Sequence, residues 1–321
     1  MNRLALAIVL AVSALGGHAL AQSFPERTIT LVNPYAAGGP ADLLARTIAE
    51  GMSEALGRPV IVENRPGAGT AIGARAVVQA APDGHTLFIG GSPSHIVAPA
   101  LMKEANYDGI KGFAPIATVA SVPNVLVVPA DRPYAGVKDL VAAAKAADGK
   151  MTFASVGVAS LPQFLGVLLQ QRANLTLVHV PYKGAAPASV DLLAGRVDLA
   201  FLNVPPVLPH IQAGKLRALA VAHANRVKTL PNVPTMAEAG YLDFEMSTWY
   251  GISAPAGTPR AVIDILHGAI AKTLNKPGVR EKLESQGAEI FLKGPEEFAA
   301  YLSADAKRML ELIKLANMTM E

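Results

Sequence analysis

From Asn33 to Arg46 the chain reads NPYAAGGPADLLAR. An apolar β-type run stops at Pro34, side chains nearly vanish through Ala36-Ala37-Gly38-Gly39, and a helical stripe follows Pro40. Gly39 suits a permissive N-cap, and Pro40 at the first helical position wastes no donor. Asp42 in the first turn matches the helix dipole and can accept from a first-turn amide. The amides of Ala37, Gly38 and Gly39 are then expected to face open space. Bare amides at a helix N-terminus form a receptor for an anion, so a carboxylate or phosphate oxygen is the natural occupant. The same residues would also make a ligand-free strand–helix turn.

Other groups could complete such a site. FASVGVASLPQF (153–164) passes from strand to helix through a Ser/Gly loop, with Ser155 at the strand end and Ser160 placed to cap the helix. VPYKGAAPASVDLLAGRVDLAFLN (180–203) puts Lys183 after one strand and Asn203 at the end of the next. Ser92, near His95 in GGSPSH, is a further polar partner, and Thr248 and Trp249 lie near an expected crossover. Each also has a plain structural reading as a cap, a solvated charge or a core residue.

Catalytic and nucleotide chemistry find little support. No G-x-S-x-G elbow is present, and the six histidines after residue 21 lack metal-ligand spacing. Gly67-x-Gly69 opens like a dinucleotide fingerprint, but the third glycine falls at Gly73, one residue late, and no G-x-x-x-x-G-K-[ST] occurs. No cofactor and no metal are expected.

The elements that must position these groups alternate. Strands are expected at 28–32, 60–62, 86–89, 151–154, 176–180, 197–202 and 216–222, and helices over 44–56, 70–81, 161–172, 186–194 and 207–213. Apolar strands alternating with helices imply α/β architecture with mainly parallel sheets covered on both faces. Two β-rich stretches break the rhythm: FAPIATVASVPNVLVVP (113–129) and EMSTWYGISAP (245–255). They are expected to be two crossovers between two domains, 24–123 plus 250–321 and 124–249.

Composition narrows the class. Basic Met1-Asn2-Arg3, an apolar run from Leu4 to Leu15 and Ala19-Leu20-Ala21 form a secretory signal peptide (1–21) with cleavage after Ala21. The 300 residues that follow suit two domains. Loss of Arg3 lowers the formal charge from +3 to +2, and the charges are dispersed, so no nucleic-acid partner is indicated. The chain has no cysteine, hence no disulfide and no thiol chemistry.

Nine ordered stretches resemble the Bug-type solute receptors of tripartite tricarboxylate transporters: YAAGGPAD (35–42), ENRPGAGTAIGA (63–74), PDGHTLF (82–88), YDGIKGFAPI (107–116), VPYKGAAPA (180–188), DLLAGRVDLAF (191–201), AGKLRALAV (213–221), VPTMAEAG (233–240) and WYGISAPAGTP (249–259). The resemblance implies a two-domain periplasmic binding protein of the Venus flytrap type. Such a protein closes on a small carboxylate and hands it to an inner-membrane permease; a monomer is expected. It also implies that Tyr35, with the loop to Gly39, holds one ligand carboxylate.

Two departures bear on the ligand. Gln163 stands where the family often has His, and Leu202 where many members carry Asp before Asn203; without that carboxylate a site for an α-amino group is less expected, which favours an organic acid over an amino acid. The expected ligand-binding set is Tyr35, Ala37, Gly38, Gly39, Asp42, Ser92, Ser155, Ser160, Lys183, Asn203, Thr248 and Trp249. The alternatives are an exported hydrolase and a ligand sensor for a membrane kinase.

Overall fold

The computed structural model describes residues 24–315 apart from Gly39, Ala159 and Gln286. The expected signal peptide and its cleavage site lie outside the described residues. Eleven strands form two sheets among the described residues. The first takes β1 (Ile29–Asn33), β2 (Val60–Asn64), β3 (Thr86–Gly90), β4 (Phe113–Val122), β10 (Thr248–Pro255) and β11 (Glu289–Lys293), in the order β11-β4-β10-β3-β1-β2. The second takes β5 (Asn124–Pro129), β6 (Thr152–Ser155), β7 (Val178–Pro181), β8 (Leu199–Asn203) and β9 (Leu216–Ala222), in the order β7-β6-β8-β5-β9.

Both sheets are mixed, for a topological reason. β1 runs parallel to β2 and β3, and β6 parallel to β7 and β8. Only Pro123 separates β4 from β5, so β5 must start at the edge where β4 stopped and run away from it, antiparallel to β8. β10 re-enters the first sheet at that same edge and runs antiparallel to β3 and β4. The carboxyl ends of the parallel strands of both sheets therefore face the crossing.

The helices are α1 (Pro40–Leu56), α2 (Ala71–Val78), α3 (Ala98–Leu101), α4 (Val137–Ala146), α5 (Leu161–Ala173), α6 (Ala185–Leu193), α7 (Val204–Gln212), α8 (Arg260–Leu274), α9 (Pro277–Ser285) and α10 (Pro295–Leu315). The apolar stripe of α1 is buried as its spacing demands: Leu44, Ile48 and Met52 pack with Ile263, Leu266 and Ile270 of α8 on Leu31 and Ile89. On one face of the second sheet, Val125, Val127 and Ala154 pack under Leu192 of α6 and Val207 of α7. The other face joins a core that spans both sheets, from Phe153, Phe164 and Phe201 to Trp249, Phe298 and Met309. Helix α10 supplies its bridging residues, packing by Phe298 near Trp249 and by Leu312 toward the second sheet.

Three elements differ from the sequence expectation. Helix α4 has no counterpart in it; Asp139 Oδ2 starts this helix by accepting from the amides of Ala135 (2.8 Å) and Gly136 (3.1 Å). Helix α7 begins at Val204 rather than residue 207, because Pro205 and Pro206 sit in a first turn that needs no amide donors. Residues 93–101 are helical, although their two prolines hide the period.

Candidate functional site

The loops that carry the expected site residues leave the carboxyl edges of the two sheets, and those edges meet at the crossing. Asn203 Nδ2, at the end of β8, donates to Thr248 Oγ1 (3.1 Å) and to the Val122 carbonyl (3.3 Å). The Val204 amide donates to the Pro123 carbonyl at 3.0 Å. Asn124, paired opposite Asn203, reaches Thr248 Oγ1 at 3.5 Å. Asn203 and Thr248, both expected from sequence, are thus in contact between the two sheets. Their polar groups hold the crossing together.

On the first lobe, Asp42 organises the loop after β1. It is 3% exposed, and its Oδ2 accepts from the Gly38 amide (2.9 Å) and Arg46 Nε (3.0 Å), while Oδ1 accepts from Asn64 Nδ2 (2.9 Å). Asn64 Nδ2 also donates to the Tyr35 carbonyl (3.1 Å), and Arg46 reaches Asn64 Oδ1 (3.2 Å). This network corrects the expectation that the Gly38 amide is bare and that Asp42 addresses a ligand. Gly38 turns the chain at φ +80° toward the protein's own carboxylate. The Ala36 and Ala37 amides, on exposed residues, donate to no group among the described residues. Gly39 lies outside the described residues.

Tyr35 stands beside these amides, its ring 6.3 Å from that of Tyr250 in an edge-to-face arrangement. Burial first, then the neighbouring phenols Tyr250 and Tyr107, raise its pKa far above the ordinary phenol value. Tyr250 is pushed up to about 12 by burial. Both phenols stay protonated near neutral pH.

On the second lobe, Ser155 is fully buried and its hydroxyl is committed. Oγ lies 2.7 Å from His179 Nε2, donates to the Gly157 carbonyl (2.9 Å) and accepts from the Gly157 amide (3.2 Å). Ser160 occupies the N-cap position of α5 but does not cap it by its side chain. Its hydroxyl turns back to the Gly157 carbonyl at 2.6 Å. Helix α6 starts at Gly184 without a side-chain cap either. Two helix N-termini therefore open at this edge without a side-chain cap. Lys183 is exposed and pairs with no acidic group among the described residues.

Two expected residues are committed to the scaffold. Trp249 is 2% exposed, stacks on His95 (6.0 Å) and donates its indole N–H to Asp305 Oδ2 at 2.8 Å. Ser92 donates to the same oxygen at 2.7 Å, and Arg308 binds Asp305 Oδ1 at 3.0 Å. The Asp305 cluster ties α10 to the loop after β3. Leu202 is fully buried among Val125 and Val204. A side chain there does not face the cleft, so this position carries no argument about an amino group.

Sequence reasoning passed over Asn33, Asn64, Asn124, Tyr250 and Asp305. Asn33 and Asn124 are fully buried, yet Asn33 Nδ2 and Asn124 Oδ1 have no protein partner among the described residues. The available signal was an asparagine next to proline at the boundary of an apolar run, in VNP and in VPN.

Comparisons with known proteins place this geometry. The profile of the tripartite tricarboxylate transporter family receptor matches residues 44–318. The chain is 40% identical over 292 residues to the UPF0065 protein in the tcbD–tcbE intergenic region of Pseudomonas sp. (strain P51), covering 91% of this chain and 87% of that one. It is 35% identical over 310 residues to Protein BugT of Bordetella pertussis, covering 96% and 95%. Among solved structures, MatC of Rhodopseudomonas palustris with bound malate is 32% identical with a TM-score of 0.76, over 90% of this chain and 100% of that one. A second R. palustris protein, with adipate, is 33% identical with a TM-score of 0.80, over 92% and 99%. A receptor profile over residues 44–318 and relatives 35–40% identical over nearly the whole chain settle the family: the chain belongs to the receptors of the tripartite tricarboxylate transporter family.

Proposed function

We propose that the protein is an exported periplasmic receptor, released by cleavage after Ala21, that closes its two lobes on a small organic carboxylate and delivers it to the inner-membrane permease subunits. The lobes are residues 24–123 plus 250–321 and residues 124–249, with α10 packed on both. It binds without turnover. The observation that carries this reading is the pair of uncommitted amides at Ala36 and Ala37. They open from the carboxyl edge of one sheet beside the protonated Tyr35 phenol, at the edge that meets the second lobe.

The geometry also bears on the ligand class. An α-amino group needs a carboxylate partner, and Asp42 is consumed by Gly38, Arg46 and Asn64, while Asp191 is consumed by Tyr182 and Arg196. The free charge at the cleft edges is Lys183. Relatives with bound malate and adipate carry two carboxylates, and a dicarboxylate fits an amide pair on one lobe and helix N-termini on the other. Micromolar binding requires about −8 kcal/mol. Charge-assisted hydrogen bonds supply about 1.5–3 kcal/mol each, so four to six of them reach that level after the cost of immobilising the ligand.

Titration calorimetry against malate, adipate, aspartate and glutamate tests the proposal. Micromolar binding of a dicarboxylate with no amino-acid binding is expected; aspartate or glutamate binding with the dicarboxylates silent would refute it. Ala37→Pro removes one of the two donors and should weaken dicarboxylate binding about tenfold or more, with the melting temperature nearly unchanged.

A further inference from the structure

The lobes meet a second time, away from the cleft. From β4 in the first sheet, β11 lies on one side and β10, β3, β1 and β2 on the other. From β5 in the second sheet, β9 lies on one side and β8, β6 and β7 on the other. Asn203 of β8 touches Thr248 of β10, so the two sheets are matched side for side across the crossing. The cleft loops, which follow β1, β6 and β7, are all on the β10–β8 side. On the β11–β9 side, His223, just after β9, lies 3.6 Å from Glu289 at the start of β11. Lys228 lies 3.6 Å from Glu284 of α9.

Pro205 of α7 presses on Gly287, between α9 and β11. A Cβ added at Gly287, where φ is +72°, would stand 2.4 Å from Pro205 Cγ. A proline ring has little freedom to yield. Between these groups lies a cavity of about 530 Å³, lined by Pro123, Val204 and Arg280 among others. Arg226, on its wall, is bound to Glu238, and Lys228 to Glu284, which makes the cavity a seam between lobes more than a receptor for a ligand of its own.

We propose that this rear seam is a brake on closure, and that Pro205, Gly287, Lys228 and Glu284 set ligand affinity without touching ligand. The inference rests on the reading that the lobes close on a carboxylate. Rotation about the β4–β5 crossing moves points on its two sides in opposite senses, so bringing the cleft edges together draws the rear seam apart. The apparent dissociation constant is the intrinsic one divided by the fraction of closed form, so every attraction across the seam that closure must break weakens binding. Releasing the brake tightens binding to all ligands alike.

Two variants and one distance decide the matter. Glu284→Lys places a third cation beside Lys228 and Arg280, and Gly287→Ala wedges the seam. The chain lacks cysteine, so spin labels on cysteines introduced at the exposed positions Leu43 of α1 and Val190 of α6 report the gap between lobes. In the ligand-free variants the label distance should shorten, and dissociation constants for malate and adipate should both fall, for Glu284→Lys by about two- to fivefold, the range of a surface ion pair. An unchanged or longer distance, or unchanged or weaker binding, overturns the proposal. Where Gly287→Ala does not fold, Glu284→Lys alone decides. Should the wild type bind neither acid, the carboxylate reading fails, whereas the ligand-free label distance still judges the brake.

Discussion

At the scale of single residues, Asp42 shows how one buried carboxylate can organise a whole loop. Its hydrogen bonds hold Gly38 and Asn64 so that the neighbouring amides stay free. The Arg46 hydrogen bond is the largest influence on its carboxyl, which sits lowered to about 2, with Gly38 and Asn64 adding to the effect and burial opposing it. A depressed acid contributes stability that is present above the unfolded pKa and is lost as pH falls through the folded value. Asp42→Asn should therefore cost about 1–3 kcal/mol in urea unfolding at pH 7. The gap from wild type should shrink as pH falls from the normal carboxylate range toward 2, and adipate affinity should drop as the loop loosens.

His95 gives the complementary case. It is 1% exposed, and burial holds its pKa at about 4 against the opposing hydrogen bond to the Gly109 carbonyl (2.8 Å). The unfolded chain then binds more protons than the folded one between about pH 4 and 6.5, so stability falls as pH drops through that window. His179, also lowered by burial, acts in the same direction. Thermal melts from pH 7 to 4 should show the decline, and His95→Gln should flatten part of it.

At the scale of elements, the crossing strands decide most. The single residue Pro123 between β4 and β5 forces both sheets to become mixed and brings their carboxyl edges together. Helix α10 is tied at its middle through Asp305, which is 4% exposed and bound by Ser92, Trp249 and Arg308. Asp305→Ala would leave three donors without a partner in or near the core, a loss of about 3 kcal/mol by denaturant unfolding. Dicarboxylate affinity should stay within about twofold, since these groups hold the scaffold and not the ligand.

Elements with a strong apolar period, such as α1 and α5, and the buried strands β1, β3 and β8 were legible in the sequence. Helix α4 was not, and neither was the first turn of α7. The stripes are present, at Val137, Leu140, Val141 and Ala144 and at Val204 and Val207, but Gly136 and the Pro205–Pro206 pair at the helix starts read as loop chemistry. Only the surrounding sheet supplies the partner that makes such a segment helical.

At the scale of the whole molecule, two faces lie on either side of one crossing. Donors gather on the β1, β6 and β7 side, and the Pro205–Gly287 seam lies on the β9–β11 side. The proposed closure leaves α10 packed on both lobes. Saturating adipate should therefore lower the radius of gyration in small-angle scattering, with helix content by circular dichroism unchanged. A ligand-bound form as extended as the free one would rule out closure.

The sequence by itself determined the α/β alternation, the two-lobed plan with its chain crossings in the β-rich stretches 113–129 and 245–255, and a turn of small residues at 35–42 between strand and helix. Those features follow from local periodicity, proline and glycine chemistry, and apolar runs, all of which are written in neighbouring residues. Tertiary structure decided which donors remain free. Trp249 and Ser92 are spent on Asp305, 56 and 213 residues away in sequence. No local pattern encodes such pairings, because a hydrogen bond is allotted by distance in space, and the folded chain alone sets that distance.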